Sequence, residues 1–343
     1  MTHYETTKQI LTAESRRWLV TGVAGFIGSN LLELLLECGQ QVVGIDNFST
    51  GRRQNLEDVQ RSVGPNRWSA FTFIEGDIAQ PDTCEKACAG VDYVLHQAAL
   101  GSVPRSIADP QDTNRSNITG FLNVLVAAKG AKVRRFVYAS SSAVYGDHPA
   151  LPKVEDVIGK PVSPYAVTKC ADELYAETFS RTYGMECIGL RYFNVFGRRQ
   201  SPDGPYAAVI PIWVASLLQG DPCIVNGDGA TSRDFCYIQN VLQANLLAAI
   251  TDNPEAVNTV YNIAIGERTA LVDLYVMIRD RLLAYRPDLK GMEPHFGPFR
   301  PGDIRHSQAD ISKARRLLGY VPAHTVAQGL DETIAWYAAT LCV

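Results

Sequence analysis

The sequence has no long apolar run and no excess of positive charge. No uninterrupted hydrophobic stretch approaches the roughly 18 residues that a membrane-spanning helix needs, and the first 16 residues are polar with charges of both signs. The net charge of −4 gives no electrostatic reason to bind nucleic acid or an anionic membrane. These absences predict a cytoplasmic protein without a signal peptide, with neither membrane nor nucleic acid among its partners.

Closely spaced metal ligands are also missing. The eight cysteines are scattered, with only Cys84 and Cys88 close together, and the six histidines form no ligand pair. Zinc sites bring such side chains together at short, characteristic spacings, so no metal is expected. The cysteines are expected to be buried free thiols in a reducing compartment.

Composition and pattern indicate a folded α/β protein. Hydrophobic residues make up 46% and charged residues 20% of 343 residues, enough for two domains or one large domain with a lobe. Short β-rich runs alternate with longer helical patterns in the first half, which predicts a Rossmann fold with a doubly wound parallel sheet. The predicted strands cover residues 18–21, 41–45, 71–75, 93–96, 135–140, 186–191 and 259–265.

The rest of the chain predicts a smaller α/β lobe interleaved with this sheet. Segments 196–206 and 226–233 are rich in Gly and Pro and break the alternation. The expected division is residues 1–193 with 235–265 for the dinucleotide-binding domain, and residues 194–234 with 266–343 for a substrate-binding lobe.

Three glycines stand where a nucleotide-binding turn is expected. Gly22, Gly25 and Gly28 lie between the first predicted strand and the first predicted helix. Glycine there allows a tight turn and lets backbone N–H groups approach a pyrophosphate at a helix N-terminus. The spacing Gly-x-x-Gly-x-x-Gly departs from the more familiar Gly-x-Gly-x-x-Gly.

An acidic residue after the second strand favours NAD as the cofactor. Asp46 follows Gly28 by 18 positions, where a carboxylate can accept both ribose hydroxyls of an adenosine and would repel a 2′-phosphate. Arg52 and Arg53 stand close by in the sequence. Residues 76–78 and 97–99 follow the third and fourth strands, at the sheet edge that suits adenine and ribose contacts.

A tyrosine and a lysine carry the predicted chemistry. Tyr165 and Lys169 are four residues apart, so on a helix they share one face with Cβ atoms about 5–6 Å apart. The ammonium could then stabilise a phenolate and let a weak acid work as a base near neutral pH. A free phenol has a pKa of about 10, so this requires roughly 4 kcal/mol of differential stabilisation.

These motifs together resemble the extended short-chain dehydrogenase/reductase family over nearly the whole chain. They are Thr21 to Gly28, Asp77, His96 to Ala99, Ser141, and Tyr165 with Lys169. Within the family the resemblance is to nucleotide-sugar epimerases, and most closely to UDP-N-acetylglucosamine 4-epimerases of bacterial surface-polysaccharide and lipopolysaccharide pathways. The segments that carry it are residues 99–105, 191–197, 226–229 and 233–238.

The resemblance implies the roles of the site residues. Tyr165 would remove the proton of the sugar 4-hydroxyl while NAD takes the C4 hydride, and Lys169 would lower the tyrosine pKa and hold the nicotinamide ribose. Ser141, with Ser142 beside it, would donate a hydrogen bond to the 4-oxygen. The implied NAD-binding residues are Gly22, Gly25, Phe26, Ile27, Asp46, Asn47, Ser49, Thr50, Gly51, Asp77, Ile78, Gln97, Ala98, Ala99, Tyr165, Lys169 and Tyr192.

The residues after Ser141 separate related chemistries. Dehydratases of this family carry acidic residues there, whereas this chain has Ser142 and Ala143, which favours epimerisation through a 4-keto intermediate. A nucleotide-sugar reductase would use the same Tyr–Lys site and stays open. A dinucleotide-sensing binding protein is the third hypothesis. Such relatives tend to lose the tyrosine or the lysine, whereas this chain has both.

The implied substrate is a UDP-N-acetylhexosamine, UDP-GlcNAc or UDP-GalNAc. Ser307 stands where epimerases restricted to glucose and galactose have a bulky aromatic, so an acetamido group would fit. The uronic acid form stays open, because Ser102, Ser142, Arg105 or Gln200 could serve a C6 carboxylate. The implied substrate-binding residues are Gly101, Ser102, Ser142, Asn194, Ala208, Val209, Asn226, Arg233, Arg300, Asp303 and Ser307.

The resemblance also implies a homodimer. Relatives pair by packing two helices of each subunit into a four-helix contact. The corresponding segments here are residues 106–129 and the helix that carries Tyr165.

Overall fold

The computed structural model describes residues 2–203, 207–299 and 304–341. Its strands are β1 Arg17–Thr21, β2 Gln41–Asp46, β3 Phe71–Glu75, β4 Tyr93–His96, β5 Arg135–Ser141, β6 Cys187–Tyr192, β7 Val195–Phe196, β8 Ile224–Asn226, β9 Ser232–Arg233, β10 Cys236–Tyr237, β11 Thr259–Ile263, β12 Thr269–Ala270 and β13 His295–Gly297. Its α-helices are α1 His3–Ala13, α2 Phe26–Glu37, α3 Arg53–Trp68, α4 Pro81–Cys88, α5 Val103–Ala108, α6 Pro110–Asn114, α7 Gly120–Gly130, α8 Pro164–Tyr183, α9 Val209–Gln219, α10 Ile238–Ile250, α11 Leu271–Leu282, α12 Ser312–Leu318 and α13 Val326–Leu341.

Seven strands form the central sheet in the order β11-β6-β5-β4-β1-β2-β3. Every neighbouring pair is parallel. Strands β1 to β6 therefore follow the doubly wound order 3-2-1-4-5-6, in which helices cover both faces. The predicted Rossmann fold class is confirmed.

Strands β1, β2, β4 and β6 are buried on both faces, which explains why they appear in the sequence as continuous apolar runs, whereas the edge strand β3 is partly exposed. Trp18 and Val20 on β1 face one hydrophobic cluster, whereas Leu19 between them faces the other. The alternation follows from the two-residue period of a strand. Helix α2 lies against the first cluster through Leu31 and Leu35.

Three two-stranded sheets lie outside the central sheet. They pair β7 with β10, β8 with β13 and β9 with β12, and α9 packs on α11 and α13 beside them. Helix α10 packs against β5, β6 and β11 of the central sheet. The predicted division of the chain at residues 193, 234 and 265 stays a prediction.

The strand ends differ slightly from the prediction. Strand β11 ends at Ile263 rather than at residue 265, because the N–H groups of Ile265 and Gly266 both donate to the Asp234 carboxylate, each at 3.1 Å. Within residues 2–203, 207–299 and 304–341, no helix is long and apolar enough to cross a membrane.

Candidate active site

A cavity of about 540 Å³ opens at the carboxyl ends of the central strands. The glycine turn after β1 lines one end, and Ser141, Tyr165 and Lys169 line the other. Because the strand order reverses between β1 and β4, this crevice is the switch point where doubly wound sheets bind dinucleotides. The predicted NAD-binding turn and the predicted Tyr–Lys site therefore line one cavity.

The glycine turn has the shape of a pyrophosphate cradle. Gly22 has a φ of +67°, and a Cβ there would come within 2.9 Å of the Ala98 backbone. A Cβ on Gly28 would lie 2.1 Å from the Gly22 carbonyl oxygen, so only glycine lets α2 start this close to β1. Gly25 is the N-cap of α2, where free backbone N–H groups and the helix dipole favour an anion.

Asp46 is held ready to accept ribose hydroxyls. Its two carboxylate oxygens accept hydrogen bonds from the backbone N–H groups of Ala24 at 2.9 Å and Phe48 at 2.8 Å. Burial raises the pKa of Asp46, and these two N–H donors oppose that rise. Gly51 does not line the cavity, but a Cβ there would sit 2.7 Å from an Asp46 oxygen. Gly51 therefore makes room for the carboxylate.

Arg52 and Arg53 are both engaged with carboxylates rather than with the cavity. Arg52 pairs with Asp203 at 2.8 Å, and Arg53 pairs with Glu75 at 2.7 Å. Neither arginine lines the cavity. The arrangement fits the unphosphorylated ribose of NAD.

Side chains at the ends of β3, β4 and β6 hold one another in place along the cavity. Asp77 accepts from Ala79 N–H and from Arg115, each at 2.8 Å; burial raises the pKa of Asp77, but these donors outweigh it and lower the pKa. Tyr192 donates to Gln97 at 3.1 Å. The predicted NAD-binding residues that line the cavity are Gly22, Gly25, Phe26, Ile27, Asp46, Asn47, Ser49, Thr50, Asp77, Ile78, Gln97, Ala98, Ala99, Tyr165, Lys169 and Tyr192.

Tyr165 lies in the first turn of α8. Ser163 caps this helix by accepting from the Ala166 N–H at 3.1 Å, and Pro164 takes the first helical position. The half-buried Tyr165 side chain lines the cavity. A phenolate at this position would sit at the positive end of the α8 dipole.

Lys169 is buried, with a side chain only 2% exposed. Its ammonium donates to the Ala139 carbonyl and to the Asp172 carboxylate, each at 3.0 Å. Burial by itself lowers the pKa of Lys169, but the charges of Asp172 and Tyr165 outweigh it and raise the pKa. An ammonium has three N–H donors, so one remains for the cavity side, where a phenolate or a ribose hydroxyl can accept it.

Ser141 ends β5 and keeps its hydroxyl proton available for a further hydrogen bond. Its Oγ accepts from the Ala143 N–H at 3.1 Å, and because a hydroxyl both accepts and donates, its O–H can still point at a sugar oxygen. Ser142 is half-buried, starts a short 3₁₀ helix and does not line this cavity.

A second cavity of about 530 Å³ continues from the first into the lobe. Asn194 lines both, while Val209, Asn226 and Arg233 line only the second. Gly101, Ser102 and Ala208 line the first cavity.

Another predicted substrate residue among the described residues lies outside both cavities. Ser307 lines neither cavity; its N–H donates to the Ser232 carbonyl at 3.1 Å, next to Arg233. Arg300 and Asp303 lie outside the described residues.

The sequence prediction did not include two residues that hold parts of the site in place. Asn117 is buried in a π-helical turn between α6 and α7, and it binds the Leu100 backbone at 2.8 Å and the Thr168 hydroxyl at 3.0 Å. It thereby ties the loop before α5 to the helix of Tyr165. The second is Asp172, whose spacing of three residues from Lys169 is visible in the sequence and indicates a shared helical face.

The fold and the site together define a dinucleotide-dependent enzyme of the Rossmann class with a Tyr–Lys pair. The chain belongs to the NAD dependent epimerase/dehydratase family, whose model matches residues 18–264. It uses NAD as its cofactor, and the donors and acceptors described above fit that molecule. No group of three potential metal-binding side chains occurs among the described residues.

Several proteins of known name are similar to this chain over almost its full length. A UDP-glucose 4-epimerase of Mycolicibacterium smegmatis is 36% identical over 94% of this chain and 98% of its own. A UDP-N-acetylglucosamine 4-epimerase from Methanobrevibacter ruminantium M1, solved with UDP-N-acetylmuramic acid, is 38% identical with a TM-score of 0.87, over 95% and 99%. A UDP-glucuronic acid 4-epimerase from Bacillus cereus, solved with UDP-glucuronic acid and NAD, is 32% identical with a TM-score of 0.82, over 94% and 99%.

Proposed function

We propose that the protein is a UDP-sugar 4-epimerase that interconverts UDP-GlcNAc and UDP-GalNAc. The observation that carries the proposal is the meeting of Ser141, Tyr165 and Lys169 in the cavity that also holds the glycine turn and Asp46. Named 4-epimerases support the reaction type, because their similarity to this chain covers almost the full length of both proteins.

The three side chains provide proton transfer at the sugar 4-oxygen. Tyr165, as phenolate, accepts the proton of the 4-hydroxyl, and its O–H returns the proton when the ketone is reduced. Lys169 stabilises the phenolate, and Ser141 donates to the 4-oxygen as it becomes a carbonyl. NAD, when bound, would supply reversible hydride transfer at C4, so that return of the hydride to the opposite face would invert C4.

The short helix after β5 supports epimerisation over elimination. A dehydratase needs a further acid/base group beside the tyrosine, but Ser142 and Ala143 follow Ser141 and neither can take that role. These residues therefore favour return of the same hydride to the oxidised sugar over elimination.

The lobe offers a site for the nucleotide end of the substrate. Arg233 lines the second cavity, and a planar guanidinium suits diphosphate oxygens. Asn194 lines both cavities, so a UDP-sugar lying across it would place its sugar near Tyr165.

Small residues favour an acetamido sugar. Gly101, Ser102 and Ala208 line the wall of the first cavity and leave space around the sugar. Ser307 is half-buried next to the strand that carries Arg233, and it keeps that position free of the bulky aromatic of glucose-restricted relatives.

A uronic acid form of the sugar is the second candidate, favoured by one observation. Arg105 lines the same cavity as Tyr165, and a guanidinium is a strong partner for a C6 carboxylate.

The deciding experiment compares kcat/KM for UDP-GlcNAc, UDP-N-acetylglucosaminuronic acid, UDP-glucose and UDP-glucuronic acid. Fastest turnover of UDP-GlcNAc supports the proposal; rapid turnover of UDP-glucose with no turnover of either acetylated sugar contradicts it.

The same assay separates the other enzyme and non-enzyme classes. An epimerase interconverts its sugars without consuming NADH, whereas a reductase loses nicotinamide absorbance in step with product. A sensing protein would bind the dinucleotide and turn over neither sugar.

Ser307→Tyr should narrow the substrate range. Ser307 itself lines neither cavity, but a phenol ring there would take the place of the bulky aromatic of glucose-restricted relatives. We therefore expect kcat/KM for UDP-GlcNAc to fall about 10-fold or more, equivalent to about 1.4 kcal/mol or more. Turnover of UDP-glucose should change much less. Ser307→Ala, which adds no bulk, is the matched control and should leave the ratio of the two substrates unchanged. Equal losses on both substrates in Ser307→Tyr would contradict the volume argument.

A homodimer is part of the proposal. Helices α7 and α8 expose Val126, Val167 and Leu174, each about half exposed or more, and such apolar faces favour a partner surface. A second copy packing α7 and α8 into a four-helix contact would cover them, and sedimentation of the purified protein measures it.

A further inference from the structure

Asp172 is a fully buried carboxylate in the middle of the proposed catalytic helix. It lies on α8, is 0% exposed, and its Oδ2 accepts from the Lys169 ammonium at 3.0 Å. Its other oxygen, Oδ1, is buried without a hydrogen-bond partner among the described residues. Burying a carboxylate is costly, so its position beside Lys169 calls for a functional reason.

We propose that Asp172 is a positioning residue that holds the Lys169 ammonium in place and partly neutralises its positive charge. Asp172 thereby sets the pH range in which Tyr165 forms a phenolate. The proposal rests on the proposed function of Tyr165 and Lys169. Asp172 does not line the cavity, so it acts through Lys169 alone.

The direction of the effect follows from Coulomb's law. An ionised Asp172 offsets the ammonium charge and weakens its pull on the phenolate, whereas a neutral Asp172 leaves the full charge facing Tyr165. Burial raises the pKa of Asp172 to about 7, against the opposing effect of Lys169. As the pH falls through this range, Asp172 takes up a proton and phenolate formation becomes easier. Protonation of Asp172 and formation of the phenolate are therefore coupled through the Lys169 ammonium.

The other charged groups near Asp172 leave this coupling intact. Glu173 is the nearest like charge, but Arg191 on β6 binds both its oxygens, at 2.9 and 2.8 Å. His96 on β4 stays neutral, because burial and then the Lys169 charge lower its pKa to about 3. Among the described residues, Tyr138 on β5 and Cys170 on α8 also interact with Asp172.

The test is Asp172→Asn in the NAD-loaded enzyme, which keeps the shape and removes the charge. We expect the acidic limb of kcat to move about one pH unit lower, with KM for the UDP-sugar little changed. Glu177→Gln is the matched control: it neutralises a half-exposed carboxylate on the same helix, paired with Arg181 at the surface, and should leave the pH profile in place. Profiles of Asp172→Asn and unaltered enzyme that superimpose would overturn the proposal.

A second measurement needs neither substrate nor a folded Asp172 variant. The chain has fifteen tyrosines, so the absorption of the Tyr165 phenolate is measured as a difference. The spectrum of the NAD-loaded Tyr165→Phe protein is subtracted from that of the NAD-loaded unaltered protein, which cancels the absorption of the other tyrosines. We expect a titration broader than one proton-binding curve, because Asp172 and the phenolate are coupled through the Lys169 ammonium. A curve of single-proton width would count against the coupling, whether or not the protein epimerises UDP-sugars.

Discussion

Tyr165→Phe should lower kcat for epimerisation about 1,000-fold or more, since positioned acid–base groups contribute about 10²–10⁴-fold. The phenyl ring keeps the half-buried packing at the start of α8, and only the hydroxyl that accepts the 4-hydroxyl proton is lost. Folding and NAD binding should therefore stay close to those of the unaltered protein. The measurement is kcat with UDP-GlcNAc, together with a thermal unfolding curve and an NAD titration.

The matched control removes a hydroxyl from the far end of the same helix. Tyr183 is half-exposed at the C-terminal end of α8, so Tyr183→Phe should leave kcat unchanged. A Tyr165→Phe protein with the activity of this control would remove the central claim for the site.

Lys169→Met should reduce activity and stability together. The ammonium that stabilises the phenolate is lost, so we expect kcat to fall about 100-fold or more, with a weaker hold on NAD. Breaking a buried ion pair also leaves Asp172 uncompensated, which costs about 3–5 kcal/mol of unfolding free energy. Activity and denaturant unfolding measure the two effects separately.

A double variant separates catalysis from folding. Lys169→Met with Asp172→Asn removes both charges of the buried pair, and it should recover most of the lost stability, because no carboxylate is left unpaired. It should recover none of the activity. If the double variant regained activity with stability, Lys169 would be needed only for folding.

The fold could be predicted from the sequence because burial on both faces leaves a continuous apolar signal. Trp18 to Val20 stand out for that reason, and the glycines that follow are required by close backbone approaches that no other residue allows. The position of Tyr165 and Lys169 on one helical face follows from spacing alone. Ion pairs between residues far apart in the sequence could not be predicted, because residues such as Arg52 and Asp203 come together only in the folded chain.

The lobe was harder to predict than the sheet. Short strands such as β8 and β9 carry little periodicity, so the sequence could not place Ser307 relative to the cavities. Asp172 illustrates a different limit. Its spacing from Lys169 was visible, but only the structure gives its complete burial and its one-sided hydrogen bonding.

Following an isotope at C4 tests the central claim most directly. UDP-GlcNAc carrying deuterium at C4 is incubated with the NAD-loaded enzyme in ordinary water, with no reduced nicotinamide added. The account predicts UDP-GalNAc that keeps its deuterium at C4, since the same hydride leaves and returns while Tyr165 moves only the hydroxyl proton. Loss of the deuterium to solvent, or no interconversion unless NADH is consumed, would contradict it.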